Sequence, residues 1–253
     1  MACDSTSGSS CPANSLPSVS PGFWRYGPAD VAGVIELGSW SGAGSYGLRP
    51  HFHDETQLVL VRSGTRSFRI SEITVSVSAG QGIVIPAGVV HTPLAMTDNV
   101  TTCVNIYVAT DHVSSSFRLF DISHAPVNAD NITPDDISRL ASNTLFESPP
   151  LPIWKNSSSG VRAALSNSDE RISDIAAGFD RSREGFSRQV KRELGLAPHE
   201  FRILSRLNRA RHLLREGHPI AAVAADVGFS DQSHMTRLFR QTFGTTPGLY
   251  WRT

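Results

Sequence analysis

Long apolar runs, paired cysteines and net charge are what this chain has little of, and each shortage removes a class of protein. No apolar run in the 253 residues approaches the ~18 that a membrane-crossing helix needs, so no span is expected. The first residues lack a basic start followed by an apolar stretch, so no secretory signal is expected either. Cys3, Cys11 and Cys103 are the only cysteines. Their spacing suits neither a metal site nor an even set of disulfides, which fits a reducing compartment and predicts a cytoplasmic protein. Residues 1–21 are rich in Ser, Pro and Gly and read as a disordered leader.

Net charge is absent because two opposite balances cancel. From residue 160 onward there are fifteen Lys and Arg against ten Asp and Glu; before it there are eight against thirteen. Lysine is scarce as well: Lys191 is the single one in the basic part. A basic part joined to an acidic part fits a nucleic-acid-binding domain linked to a domain that does not bind nucleic acid.

The acidic part reads as strands. Segments 31–37, 57–61, 67–70, 73–77, 82–85 and 101–108 are rich in Val, Ile and Thr, with Gly, Ser and Pro between them. Short strands punctuated in this way predict an antiparallel sandwich or barrel. Segment 136–146 carries Ile137, Leu140, Ala141 and Leu145 at helical spacing behind Thr133-Pro134-Asp135, which predicts a helix. Pro149, Pro150, Pro152 and residues 156–160 read as an interdomain linker.

The basic part repeats itself. Ile172, Ile175, Ala176, Phe179 and Ser182 match Ile220, Val223, Ala224, Val227 and Ser230 at a separation of 48. Further on, Phe186, Arg188, Val190, Lys191, Gly195, Pro198 and Phe201 match Met235, Arg237, Phe239, Arg240, Gly244, Pro247 and Tyr250 at 49. One extra residue is therefore expected at the start of the second copy's second helix. Each copy reads as a helix, a tight turn and a second helix. Ala176 and Ala224 are small where two helices cross. Ser182 and Ser230 stand at candidate N-caps, and Gly195 and Gly244 stand at candidate left-handed C-caps. At the first turn Asp180 replaces the Gly228 of the second, and Asp tolerates a left-handed backbone better than most residues. Residues 198–216 predict one continuous helix with Phe201, Leu204, Leu207, Ala210 and Leu213 on one stripe. Such a connector is long enough to hold two reading helices over successive major grooves, about 34 Å apart.

Several ordered motifs then carry a resemblance. They are Ala210-Arg211-His212-Leu213-Leu214, Ile220-Ala221-Ala222-Val223-Ala224, Gly228-Phe229-Ser230-Asp231-Gln232-Ser233-His234, and the run from Phe239 to Tyr250. They resemble the AraC/XylS family of transcription regulators. The resemblance implies a seven-helix DNA-binding domain at 160–253 under the control of a separate sensor domain. It places DNA-reading residues at Glu184, Ser187 and Arg188 in the first unit and at Gln232, Ser233, His234 and Arg237 in the second. Arg suits guanine, Gln suits adenine and Glu suits cytosine. Lys191 and Arg240, one turn further, suit phosphate, and the cap residues Ser182 and Ser230 complete the DNA-binding set.

Two N-terminal stretches resemble cupins: His51-Phe52-His53 with Gln57 and Gly64, and Gly80 with Pro86-Ala87-Gly88-Val89-Val90-His91. In metal-holding cupins, two His of the first stretch, an acid and one His of the second hold the ion. Here Gln57 stands where the acid belongs, with Asp54 and Glu55 close by. The reading preferred on these residues makes His51, His53, Gln57 and His91 an effector pocket or a hydrogen-bonded core. No cofactor is expected, with a metal on His51, His53 and His91 as the alternative.

The combined expectation is a two-domain α+β chain. A cupin-like antiparallel β-barrel or jelly roll at 22–124 is followed at 125–159 by a helical connector and linker, where the resemblance implies a dimerisation helix and a helix packed on its own barrel is the equal alternative. An all-α domain then carries two helix-turn-helix units joined by a long helix. The expected partners are double-stranded DNA, a small-molecule effector, RNA polymerase and a second copy in a homodimer, with no membrane and no enzymatic activity. The rival expectation is a metal-dependent cupin enzyme with a fused helical domain.

Overall fold

The computed structural model of the protein describes residues 22–28, 33–45, 47–109, 116–122, 144–147, 158–166 and 168–250. The N-terminal half is built from strands β1 (Phe23–Gly27), β2 (Val34–Ser45), β3 (Thr56–Ser63), β4 (Thr65–Ile70), β5 (Ile73–Ser78), β6 (Gln81–Ile85), β7 (His91–Pro93), β8 (Met96–Val108), β9 (Arg118–Asp121) and β10 (Thr144–Glu147). They form a seven-stranded sheet in the order β1-β2-β8-β3-β6-β9-β10 and a three-stranded sheet in the order β5-β4-β7. Every pairing is antiparallel.

Of the expected sandwich, jelly roll or barrel, the structure forms an open two-sheet sandwich. β1 and β10 end the large sheet and β5 and β7 end the small one, so among the described residues the edges do not close on each other. Val59, Val61, Ile83, Ile85 and Cys103 of the large sheet pack on Phe68, Ile70 and Val77 of the small one. On the other face of the large sheet, Leu58, Leu60, Val84, Val104, Ile106 and Phe120 form a second cluster. Covered on both faces, β3 is buried over its first six residues, which is why it reads as a continuous apolar run rather than an alternating one.

Strands β1, β7 and β9 form where none was expected, and two further expectations change. The stretch from Gly38 to Ser45 looks like punctuation, yet it continues β2 because β8 pairs with it as far as Ser45↔Met96. Its Gly38 has a packing reason: a Cβ there would lie 2.9 Å from the Tyr26 ring. The helix predicted over 136–146 is not what its last residues form. Thr144 to Phe146 belong to β10, paired along β9; pairing at a sheet edge has overridden the helical spacing of so short a run. Residues 136–143 lie outside the described residues, as does the leader 1–21. β10 also carries the sheet into the segment assigned to the connector.

The C-terminal half contains α1 (Ser158–Ser166), α2 (Ile172–Gly178), α3 (Arg183–Leu194), α4 (Pro198–Arg215), α5 (Ile220–Asp226), α6 (Gln232–Phe243) and α7 (Pro247–Tyr250). α2 with α3, and α5 with α6, are the two predicted units. Their seams are Ile175, Ala176 and Phe186 in one and Val223, Ala224, Val227 and Met235 in the other, all buried in a common core. Asp180 (φ 52°) and Gly228 (φ 78°) hold the same left-handed turn. The connector α4 has 18 residues and spans about 27 Å.

The extra residue of the second unit sits elsewhere than expected. α3 and α6 both follow an N-cap, Ser182 and Asp231 respectively. Ser182 Oγ accepts from the Gly185 amide (3.1 Å). In the second unit Asp231 Oδ1 accepts from the His234 amide (2.7 Å), and Ser230 donates to Asp231 Oδ2. The insertion therefore lengthens the turn before the cap, and Ser230 is a turn residue that supports the cap instead of being it. Phe229 fills the longer turn, with its ring edge-on to His234 at 5.5 Å.

Candidate nucleic-acid interface and domain junction

A reading helix must present a polar face while its apolar face stays in the core. α6 does so. Met235, Leu238, Phe239 and Phe243 are buried, whereas Gln232, Ser233, Arg237 and Arg240 are exposed. These four share one side of the helix with Thr236. In α3 the exposed set is Glu184, Arg188 and Lys191, opposite the buried Phe186, Val190 and Leu194. Ser187 is half-buried and its hydroxyl donates back to Arg183 O (2.8 Å). His234 is half-buried against Phe229 and lines a small cavity of about 210 Å³ with Arg49, Pro50, Leu204 and Leu238. It therefore stands apart from its four neighbours.

The α6 face is not open on all sides. Gln232, Ser233, Thr236, Arg237 and Arg240 line a cleft of about 1170 Å³ whose opposite wall includes Trp24, Trp40 and Arg49 of the N-terminal half. At its floor Gly244, the C-cap of α6, has φ 76°, and a Cβ there would lie 2.5 Å from Trp24 Cδ1. Only glycine permits both the backbone angle and this approach. The Arg49 amide donates to Gln241 O (3.1 Å).

The two halves meet through a buried ionic junction that the sequence reading missed. Arg211 on α4 is 1% exposed and Glu36 on β2 is 0% exposed. Arg211 Nη2 donates to Glu36 Oε1 (2.9 Å), its Nη1 donates to His53 Nδ1 (2.8 Å) and reaches Glu55 Oε2 (3.4 Å), and its Nε donates to the Tyr250 hydroxyl (3.2 Å). One turn on, Arg215 bonds Glu36 Oε2 (2.9 Å) and Glu55 Oε1 (2.8 Å). Tyr250 also donates to Glu36. The Arg211 guanidinium lies over the Tyr107 and Phe243 rings, 4.8 and 5.1 Å from their centroids. Burial raises the Glu55 carboxyl's pKa, but the two guanidinium groups and His212 outweigh it, and the net shift is downward. Burial alone would lower the Arg211 pKa; Glu36, Tyr250 and Glu55 carry it well above the usual value.

Around this junction the halves share further contacts. Phe52 leaves the N-terminal half to stack on Phe201 of α4, with centroids 5.0 Å apart, and it belongs to the helical core. Asn208 Nδ2 donates to Phe52 O (3.0 Å), and the Tyr26 hydroxyl donates to Phe243 O (2.9 Å). A sequence signal for the junction was present. Arg211 sits beside Leu207, Ala210 and Leu214 on the buried stripe of α4, where an arginine has no place without a carboxylate.

His51, His53, Gln57 and His91 are all buried. His51 and His91 exchange backbone hydrogen bonds as an isolated bridge (2.9 and 2.8 Å); Phe52 packs in the helical core, while His51 and His53 turn together toward His91 and Phe243. The three imidazole rings have centroids 4.5 to 5.5 Å apart. Burial keeps them neutral. The pKa of His91 is lowered to about 4. Those of His51 and His53 fall well below the usual value, with Arg211 contributing at His53. Gln57 shares its face of β3 with Val59 and Val61 at period two. None of the four residues lines either cleft described above.

A β-sandwich packed on two helix-turn-helix units defines a two-domain helix-turn-helix protein. Comparison with known proteins agrees half by half. Residues 33–105 match the model of an AraC-like ligand binding domain, and residues 175–253 match that of a helix-turn-helix domain. The chain belongs to the AraC/XylS family. It is 33% identical over 100 residues to the HTH-type transcriptional activator RhaS of Escherichia coli O157:H7, covering 37% of this chain and 36% of that protein. It is 38% identical over 74 residues to RhaS of Salmonella arizonae, covering 29% of this chain and 27% of that protein. The match thus spans about a third of the length of these curated relatives. Among solved structures, ToxT of Vibrio cholerae bound to an unsaturated fatty acid is similar in fold: TM-score 0.52, 11% identity, 92% of this chain and 94% of that one.

Proposed function

We propose that the protein is a ligand-responsive transcription regulator that reads two adjacent major grooves of double-stranded DNA. The observation that carries this reading is the pair of capped reading helices, α3 and α6, set on one rigid connector. Glu184, Ser187 and Arg188 read bases from the first, with Gln232, Ser233 and Arg237 reading from the second. Lys191 and Arg240 hold phosphates, as their position one turn along supports. His234 positions the start of α6 through Phe229, and Ser182 and Ser230 order the turns. The effector acts by shifting a population between docked and undocked halves. The docked form is the one unfavourable to DNA, because a duplex cannot enter the cleft that Trp24, Trp40 and Arg49 share with the α6 face.

RhaS is by its name an activator, and activation is the first sense to test here, through contact with RNA polymerase at a nearby promoter. A homodimer would place two such readers on one operator. The site of action is the cytoplasm, where the DNA is; no helix among the described residues is long and apolar enough to cross a membrane. The test is a gel shift on the chain's own upstream DNA with and without candidate effectors. A specific, salt-sensitive complex is expected. Equal affinity for specific and random duplexes would refute the reading.

A further inference from the structure

The side of α4 opposite Arg211 carries Arg202, Ser205 and Arg206, all half-buried. These side chains tie the connector to both helix-turn-helix units. Arg202 Nη2 donates to Ser168 O (2.5 Å) and to Glu170 O, in the segment that leads into α2. Ser205 Oγ lies 3.2 Å from Ser166 Oγ at the end of α1. Arg206 reaches in two directions. Its Nη2 donates to Asp169 Oδ1 (2.6 Å), ahead of the first unit, and its Nη1 donates to Gly228 O (2.7 Å), the turn residue of the second. A Cβ at Gly228 would lie 3.2 Å from Arg206 Cζ, so turn and guanidinium are in direct contact.

The core that the two units share is apolar. Apolar contact is non-directional, so it resists separation more than it resists rotation. Charge-assisted hydrogen bonds to a planar fork are directional. Asp169 is exposed, and an ion pair of that kind contributes little to stability. Its role is geometric.

We infer that Arg206 is a positioning residue for DNA recognition: by holding Asp169 and Gly228 on one guanidinium it fixes the angle between α3 and α6, and so sets the spacing of the two boxes that the protein accepts. This rests on the two-groove reading proposed above. Two readers on a stiff linkage engage the second box as an intramolecular step, and the gain is largest when the linkage matches the span. Loosening the linkage lowers affinity for correctly spaced boxes and raises tolerance of wrong spacings. Each box taken singly is read as before, because the reading side chains of α3 and α6 are unchanged.

Footprinting of the full chain on its own upstream DNA locates the two boxes. Affinities are then measured on duplexes with the native spacing, with one or two base pairs inserted, and with one box scrambled. Each inserted base pair moves the second groove by about 3.4 Å and turns it by about 35°. Docking of the N-terminal half lowers every affinity alike and cancels in the ratios. One inserted base pair should cost the wild type about tenfold or more of an avidity of about 10²–10⁴. In Arg206→Gln, affinity at the native spacing should fall about three- to tenfold and the insertion penalty should shrink by a like factor, with single-box binding unchanged. Asp169→Asn should do the same to a smaller degree. Without DNA, residual dipolar couplings of the α3 and α6 amides should lose their common alignment in both variants. An insertion penalty equal to the wild type's overturns the inference. So does an equal loss on every duplex with a shallower salt slope, which makes Arg206 a phosphate contact. A wild type indifferent to spacing and to the loss of one box overturns the two-groove reading first, and this inference with it. Should Arg206→Gln fail to fold, unchanged penalty and unchanged couplings in Asp169→Asn, a change at an exposed residue, overturn it alone.

Discussion

Glu36→Gln keeps the shape of the junction and removes one charge from its centre. Glu36 accepts from Arg211, Arg215 and Tyr250 and is 0% exposed. A hydrogen bond to a charged group contributes about 1.5–3 kcal/mol, and breaking a buried ion pair costs about 3–5 kcal/mol. The amide keeps one acceptor oxygen, but its NH₂ meets a guanidinium donor. Glu55 still holds both arginines, so the lower end applies, about 3 kcal/mol, or on the order of 10²-fold in the docking equilibrium. The Arg49 amide reports on it, since its bond to Gln241 O crosses the junction. Its exchange should accelerate by about 10²-fold while amides in the core of each half keep their protection. DNA affinity without effector should rise in parallel. Unchanged Arg49 exchange in the folded variant would refute the junction as the latch. Faster exchange with unchanged DNA affinity would refute docking as the inhibited state.

Arg237→Ala should cost about 1–3 kcal/mol at the specific site and relax base choice there; Arg188→Ala gives the matching value for α3, both read by binding to base-substituted duplexes. Phe52→Ala should destabilise by about 3–5 kcal/mol, and because Phe52 belongs to the helical core, thermal unfolding should show the loss in the C-terminal half. The Asp231 carboxyl is held below the usual carboxylate range by the His234 amide and the Ser230 hydroxyl. Its stabilisation of α6 is therefore present above the unfolded carboxylate pKa and is lost as pH falls through the depressed value. Asp231→Asn should keep the cap and flatten that dependence, followed by NMR of the first-turn amides.

The repeat made both units legible because caps, small crossing residues and turn chemistry are local: Ser182, Ala176, Ala224 and Asp180 can each be read from their neighbours. Ser230 was misjudged by one position, because Asp231 is an equally good cap and only the start of the helix decides between them. The extension of β2 and the strand β10 were not legible, since pairing with β8 and β9 is non-local. The trio His51, His53 and His91 was found by motif, but its setting was not. Glu36 and Glu55 are far in the chain from Arg211 and Arg215, and nothing near Glu36 marks it as a buried acid.

That separation sets an order of assembly. Arg211 and Glu36 are 175 residues apart. At about 5–20 residues per second of synthesis, about 10–35 s separate Glu36 from the arginine that neutralises it. Until α4 is made, Glu36 and Glu55 lack the Arg211 and Arg215 partners they have in the folded chain. The same pair becomes the anchor when α4 arrives. One pair of acids, fixed early in the chain, is thus the address at which the last-made half docks.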